Sequence, residues 1–385
     1  MVHSNRGNYR HGAPRGYRPP VQDFPPFSAP VNQIKSVYDL TLDGSNLAKS
    51  KNSATDPQFD KEILDRGANL TPSVEYQTRV IQYAKKVIVA LEKEREEHTL
   101  PEIGISYVGL VGSFATETST HSSDKSDVVV QVNILPSYET TAELGRKLVE
   151  NMKLADPKET GEPLPTDYGC LLLSHICQVR ILFTINPHDA AKLEPGLHLD
   201  VKQMMLNYFA IRHAAWFSEM SRNMPQDFQQ EYRALVRVLK DVRSRYKNFK
   251  PMSLWTLQYI SFYCLVHGPN RQKVSLGTAF RRFFELIASG ALLPKVSVLN
   301  DPTAPNHRIG FDLSLEEMDT VCIGAQTIVR ILATGSDGYR TVLGIQGTPA
   351  DLTQTISTWN GIEIKPGVEA YKEGCMDIPA DKIPV

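Results

Sequence analysis

Ile105-Ser106-Tyr107-Val108-Gly109-Leu110-Val111-Gly112-Ser113-Phe114 and, a dozen residues on, Lys125-Ser126-Asp127-Val128-Val129-Val130 are the stretches whose reading decides the fold. The first is an apolar run that stops at a Gly-Ser step. The second opens an alternation of Val128, Val130, Val132 and Ile134, which predicts a strand over 127–135 after one over 105–111. A strand that ends in Gly-Ser at the start of a helix offers backbone N–H groups and a hydroxyl to a phosphate, because the first helical donors have no internal partner. Carboxylates two apart on the next strand share a face and can hold divalent metals for phosphoryl transfer. Gly112, Ser113 and Asp127 are therefore the candidate nucleotide-binding residues, with Asp127 the candidate contact to a magnesium-bound nucleotide.

Working outward, strand patterns recur over 171–173 and 179–185, with a helical pattern over 141–153 between sheet segments. A helix is expected to start at Thr71-Pro72, with Val80, Tyr83, Ala84, Val87, Ala90 and Leu91 on its buried face and a solvated turn over 92–97. Residues 40–66 read as an irregular arm. Beyond about residue 197 the strand patterns give way to helical ones over 201–219, 229–246, 253–267, 275–288 and 315–334. The expected class is α+β, a mixed sheet with helices followed by an all-helical C-terminal lobe. The expected division is a disordered Arg/Gly/Pro-rich tail over 1–35, an α/β lobe over 36–196, a helical lobe with a dimerisation surface over 197–370, and a flexible end over 371–385.

Forty-two Lys and Arg against 43 Asp and Glu leave a formal charge of −1 over 385 residues, so bulk electrostatics give no case for nucleic-acid or membrane binding. Any polyanion must be met locally. Two segments escape the average. The tail carries Arg6-Gly7 and Arg15-Gly16 interleaved with Tyr9 and Tyr17, a makeup that grips single-stranded nucleic acid by charge and stacking. The 229–246 helix places Arg233, Arg237, Lys240 and Arg243 opposite Leu235, Val238, Leu239 and Val242, which reads either as a phosphate-facing stripe or as a solvated amphipathic face. Arg6, Arg15, Arg233, Arg237, Lys240 and Arg243 are the candidate RNA contacts. No apolar run suits a signal peptide or a membrane span, and five unclustered cysteines suit reduced thiols rather than zinc, so an intracellular protein with no membrane role is expected.

The Gly-Ser step followed by the Asp-bearing strand resembles the nucleotidyltransferase superfamily, whose pattern adds a first Asp two residues earlier and a third carboxylate on a later strand. Here Lys125 stands where that first Asp belongs, and a cation there repels Mg²⁺. Asp124 lies at an odd offset, which turns it to the opposite face unless a bulge intervenes. The 179–185 strand contains no carboxylate. Ile211-Arg212-His213-Ala214-Ala215-Trp216-Phe217 then resembles the Arg-His-Ala-x-Trp-Phe signature of the DZF family, the domain associated with zinc fingers. Arg237-Val238-Leu239-Lys240-Asp241-Val242-Arg243, Ala288-Ser289-Gly290 and Asn300-Asp301-Pro302 are similar to further family segments, and the likeness spans about residues 35 to 370.

That resemblance implies a nucleotidyltransferase fold without catalysis, with no cofactor required and a nucleoside triphosphate with Mg as a candidate ligand. It implies heterodimerisation with a longer DZF protein of the type of interleukin enhancer-binding factor 3, the zinc-finger RNA-binding protein or the spermatid perinuclear RNA-binding protein. Double-stranded RNA would be met through the complex, in the nucleus, in transcription and RNA regulation. Family dimers use the helical lobe, for which Arg281, Arg282, Phe284, Tyr339 and Trp359 are the candidates. His213 and Trp216 are expected to be interior residues. The alternative is an active Mg-dependent nucleotidyltransferase that uses Asp127 with Asp124 or Asp200.

Overall fold

Three strands that meet at Asp127 organise the first half of the chain. The computed structural model describes residues 56–366, apart from 101, 176, 193–200, 268–271, 295–298 and 358–362. Strands β1 (Ile105–Val111), β2 (Lys125–Val132), β3 (Glu162–Thr166), β4 (Gly169–Leu173) and β5 (Gln178–Thr184) form one sheet in the order β1-β2-β5-β4-β3. β2 runs antiparallel to β1 and parallel to β5, and the registers pair Asp127 with Val111 on one side and with Arg180 on the other. Side chains alternate faces at period two. Val128, Val130 and Val132 therefore turn to a core shared with Val80, Val87 and Leu91 of a long helix and with Leu144 and Leu148 of another. Val129 joins Val111 and Leu182 on the opposite face, under Ala210, Ile211 and Ala214. Asp127 and Arg180 lie on this second face.

The helices are α1 (Pro57–Asn69), α2 (Val74–Glu97), the single turn α3 (Gly112–Ala115), α4 (Tyr138–Ala155), α5 (Val201–Asn223), α6 (Gln226–Arg245), α7 (Leu254–Val266), α8 (Leu276–Ala288), α9 (Leu315–Leu332) and α10 (Ser336–Leu343). α2 and α4 cover one face of the sheet and α5 the other. A second core gathers Leu235, Leu239 and Val242 of α6 with Phe280, Phe283 and Phe284 of α8, Val321 and Ile328 of α9, and Tyr339 and Val342 of α10. Burying each such side chain contributes about 1.5–3 kcal/mol, which holds these helices together without a sheet.

Several expectations change. The supposed irregular arm contains α1, whose N-cap Asp56 accepts from Phe59 N at 3.1 Å ahead of Pro57, and whose Phe59 and Ile63 are buried in the second core. The chain thus lends its first described helix to the later helices, so the two cores are not separated by one cut near 196. α2 starts at the cap Ser73 rather than at Thr71-Pro72. Glu94, expected in a solvated turn, is buried and accepts from Leu100 N at 2.7 Å. β3 had no strand pattern, because Glu162-Pro163-Leu164-Pro165 reads as a breaker; it is an edge strand, where prolines are tolerated. Past residue 197 two short ribbons pair Asn300–Asp301 with Ala304–Arg308 and Ile356–Ser357 with Glu363–Ile364. No helix among the described residues is long and apolar enough to cross a membrane.

Two dimerisation candidates are core residues. Phe284 and Tyr339 are buried, the latter stacked on Phe59 at 4.2 Å between ring centres. A Phe or Tyr on an amphipathic helix marks the face that packs as readily as one that binds, and here it packs. Arg281 lies over the Phe59 ring at 5.3 Å, and Arg282 Nη1 donates to His267 O at 3.2 Å; both are half-buried. Arg6, Arg15, Trp359, Asp200, the 1–35 tail and the 371–385 end lie outside the described residues.

Candidate nucleotide-binding cleft

β1 ends where Gly112 takes a positive φ of 71° and turns the chain into α3. A Cβ at this position would collide with Asp127 Oδ2, so only glycine lets the turn sit directly on that carboxylate. Asp127 is the one acid of β2, and it is not free. Arg180 Nε donates to Asp127 Oδ1 at 2.6 Å from the adjacent position of β5. The carboxylate's side chain is 12% exposed and the arginine's 39%. Lys125, two residues earlier, is exposed.

The basic face of α6 approaches from the other side. Lys240 Nζ donates to Ser113 Oγ at 3.0 Å and to Thr118 O at 2.9 Å. Arg237 donates to Ser119 O at 3.2 Å and to Glu117 O at 2.7 Å, and Arg233 pairs with Glu117 at 3.1 Å. Gln258 of α7 adds a bond to Thr116 Oγ1 at 2.7 Å. Arg233, Arg237 and Lys240, read from sequence as RNA contacts on an outward stripe, are thus spent on the Ser/Thr-rich loop after α3. Amphipathicity revealed the polar face of α6 but not the loop it meets. Arg243, one turn further, lines the cleft and makes no hydrogen bond or ion pair among the described residues. Burial, with repulsion from Arg243 and Arg237, pushes the Lys240 ammonium down to about 8, and burial also lowers Arg237 and Arg243.

These side chains enclose a cavity of about 370 Å³ onto which Gly112, Ser113, Asp127, Arg180, Lys240 and Arg243 open. A second group of lining residues is aromatic and acidic. His213 stacks on Trp255 at 4.0 Å and 7°, Trp255 Nε1 donates to Asp301 Oδ2 at 2.8 Å, and His213 Nε2 stands 3.5 Å from the same carboxylate. Burial lowers His213 and raises Asp312, which also lines the cavity beside Phe311. His213 is interior, as expected, but it borders the cleft. Trp216 packs edge-on against Trp255 and Phe262.

The structure brings Gly112, Ser113 and Asp127 together as the spacing predicted and adds Lys240 and Arg243. Arg180, Trp255 and Asp301 were missed as site residues. The signal for Arg180 was present: it is the one charge in Val179-Arg180-Ile181-Leu182-Phe183, at the alternation opposite to the core residues Val179, Ile181 and Phe183. A triphosphate with Mg was the expected ligand, with Asp127 as the contact. The donor set does not fit a pair of catalytic metals, which need several carboxylates. Of the three carboxylates that line the cavity, Asp301 is bonded to Trp255 and Thr303, Asp312 lies near His213, and Asp127 Oδ1 is held by a guanidinium. Among the described residues no three His, Cys, Asp or Glu side chains form a group able to hold a metal ion.

Comparison with known proteins agrees with the architecture. E. coli MS115-1 CdnC, solved with ATP, superposes with a TM-score of 0.52 at 16% identity over 77% of this chain and 100% of that one. A cytoplasmic RNA terminal U-transferase gives 0.51 at 13% over 75% and 98%, and the Cid1 poly(U) polymerase with Mg 3'-dATP gives 0.51 at 14% over 75% and 99%. These likenesses establish a nucleotidyltransferase-like fold. Residues 16–222 match the DZF N-terminal domain and residues 231–365 the DZF C-terminal domain, so the chain belongs to the DZF family.

Proposed function

We propose that this chain is a catalytically silent, nucleotidyltransferase-like DZF subunit. The observation that carries the reading is the Asp127–Arg180 ion pair beside an exposed Lys125. Two-metal phosphoryl transfer requires carboxylates on neighbouring strands to draw two cations to the reacting oxygens. Here the neighbouring strand supplies a cation of its own, and the position two residues before Asp127 supplies another. Asp127 itself is neutralised by Arg180.

A subunit without chemistry acts through what it binds. In this reading it joins a longer DZF protein that carries double-stranded-RNA-binding or zinc-finger modules, and the complex regulates transcription and RNA processing, stability or translation in the nucleus. Near-zero net charge supports this division of labour, since the strong phosphate grip then belongs to the partner. Phe284 and Tyr339 are withdrawn from the interface because they are core; Arg281 and Arg282 remain half-exposed on α8. The test is affinity purification of the chain from nuclear extract with identification of what comes along. A longer DZF protein in stoichiometric amount is expected, and recovery of the chain alone or only as a homodimer would overturn the subunit reading.

A further inference from the structure

We propose that the loop over residues 116–119 is a latch between the two cores, held shut by the cations of α6, and that it tightens when Lys240 gives up its charge. This goes beyond the silent-subunit reading and holds whether or not the cleft is catalytic.

The closed loop is costly in itself. Glu117 takes a φ of 53°, a left-handed backbone that residues with a side chain rarely adopt. Thr118 and Ser119 are buried, and Ser119 Oγ has no hydrogen-bond partner among the described residues, which adds a desolvation cost. Three successive carbonyls then face α6: Arg237 donates to Glu117 O and Ser119 O, and Lys240 donates to Thr118 O. No backbone N–H among the described residues donates to any of the three. The side chains of α6 therefore offset the strain and the stranded hydroxyl. They also join two parts of the fold. The loop follows α3, whose Phe114 lies in the core that the sheet shares with α2 and α4, whereas Leu235, Leu239 and Val242 set α6 in the helical core.

Lys240 is the member of this set whose charge works against closure. Its acceptors are a hydroxyl, Ser113 Oγ, and a carbonyl, Thr118 O, neither of which neutralises it. Arg243 and Arg237 of its own helix repel it, and Asp127 on β2 pulls the other way. The other charged or titratable groups around it are Glu117 on the loop, Arg180 on β5, His213 on α5, and Asp301 and Asp312 at the cavity wall. Burial, then the two arginines, bring Lys240 to about 8 with the loop closed, against an ordinary value of 10.5 in water. An open loop returns the ammonium toward water. Between those two values the open state binds more protons than the closed one, so rising pH favours closure. A neutral amine keeps N–H donors for both acceptors and sheds the cost of a buried charge.

Amide hydrogen exchange of the purified full-length chain tests this, read as protection factors at about pH 7 and about pH 9.5 on either side of the Lys240 titration. The probes are the amides of Thr118, bonded to Ser113 O, and of Thr120, bonded to Ser123 Oγ, beside amides of α9. Expected is lower protection in the loop than in α9 near neutrality, and a rise of about tenfold in the loop at the higher pH. Lys240→Arg stays charged across the range and Lys240→Met never carries a charge, so neither should show the rise. If one variant fails to fold, as a thermal melt would reveal, the other still decides. No rise in the wild type, or a rise that either variant shares, overturns the proposal. Loop amides as protected as those of α9 near neutrality would mean that the loop opens only with the whole protein, and also overturn it.

Discussion

Removing Arg180 should harm the protein more than removing the acid it neutralises. Asp127 is the more buried partner, with 12% of its side chain exposed against 39% for Arg180, and Arg180 is its sole hydrogen-bond donor among the described residues. Arg180→Met strands a carboxylate that water reaches poorly. Breaking a fully buried pair from one side costs about 3–5 kcal/mol, and a hydrogen bond to a charged group about 1.5–3. Solvent at the arginine end, together with Lys240 across the cleft, reduces the first figure, which leaves about 2–3 kcal/mol. Asp127→Asn instead leaves a guanidinium that solvent can reach, at a cost of about 1 kcal/mol. The double variant should fall short of the sum by about 1–2 kcal/mol, as expected of groups in direct contact. Urea unfolding with an unchanged m-value reads all three numbers. An Asp127→Asn cost larger than that of Arg180→Met, or strict additivity, would refute the pair as the element that closes the metal position.

Tyr339→Ala and Phe284→Ala should each destabilise by about 3–5 kcal/mol in urea unfolding, since both rings are buried in the helical core; a loss of partner binding with unchanged stability would return them to the surface. Gly112→Ala should cost about 1–2 kcal/mol from the left-handed backbone alone, and more from the collision with Asp127, seen as a lowered melting temperature; a neutral result would contradict the contact. Lys240 should titrate near pH 8 when followed by NMR of reductively methylated protein, far below the ordinary lysine value of 10.5. Between those two values the unfolded chain binds more protons than the folded one, so stability should rise with pH across that window in the wild type relative to Lys240→Met.

How much of this was legible in the sequence differs by element. Gly112, Ser113 and Asp127 were found because a strand that ends in Gly-Ser and a strand that opens with an acid are local patterns. Arg180 was not, since its role depends on β2 and β5 lying parallel in a register that pairs it with Asp127, and no period within one strand encodes a neighbour's alignment. α6 shows the same limit. Its polar stripe was plain from Arg233 to Arg243, but the stripe faces the 113–119 loop rather than solvent because a hydrophobic face fixes only the direction of the core. α1 was missed although Asp56-Pro57 is a cap followed by a first-turn proline, with Phe59 and Ile63 four apart; thirteen residues inside a polar stretch gave too little periodicity to outweigh their surroundings.

The account stands or falls on whether the cleft performs nucleotidyl transfer. The direct measurement is primer extension by the purified chain with Mg²⁺ or Mn²⁺, each nucleoside triphosphate and an RNA primer, beside an Asp127→Ala control. No product above that control is the predicted result. Robust extension that disappears in Asp127→Ala would show that Asp127 recruits metal despite Arg180, and would contradict the reading of this DZF chain as a silent subunit.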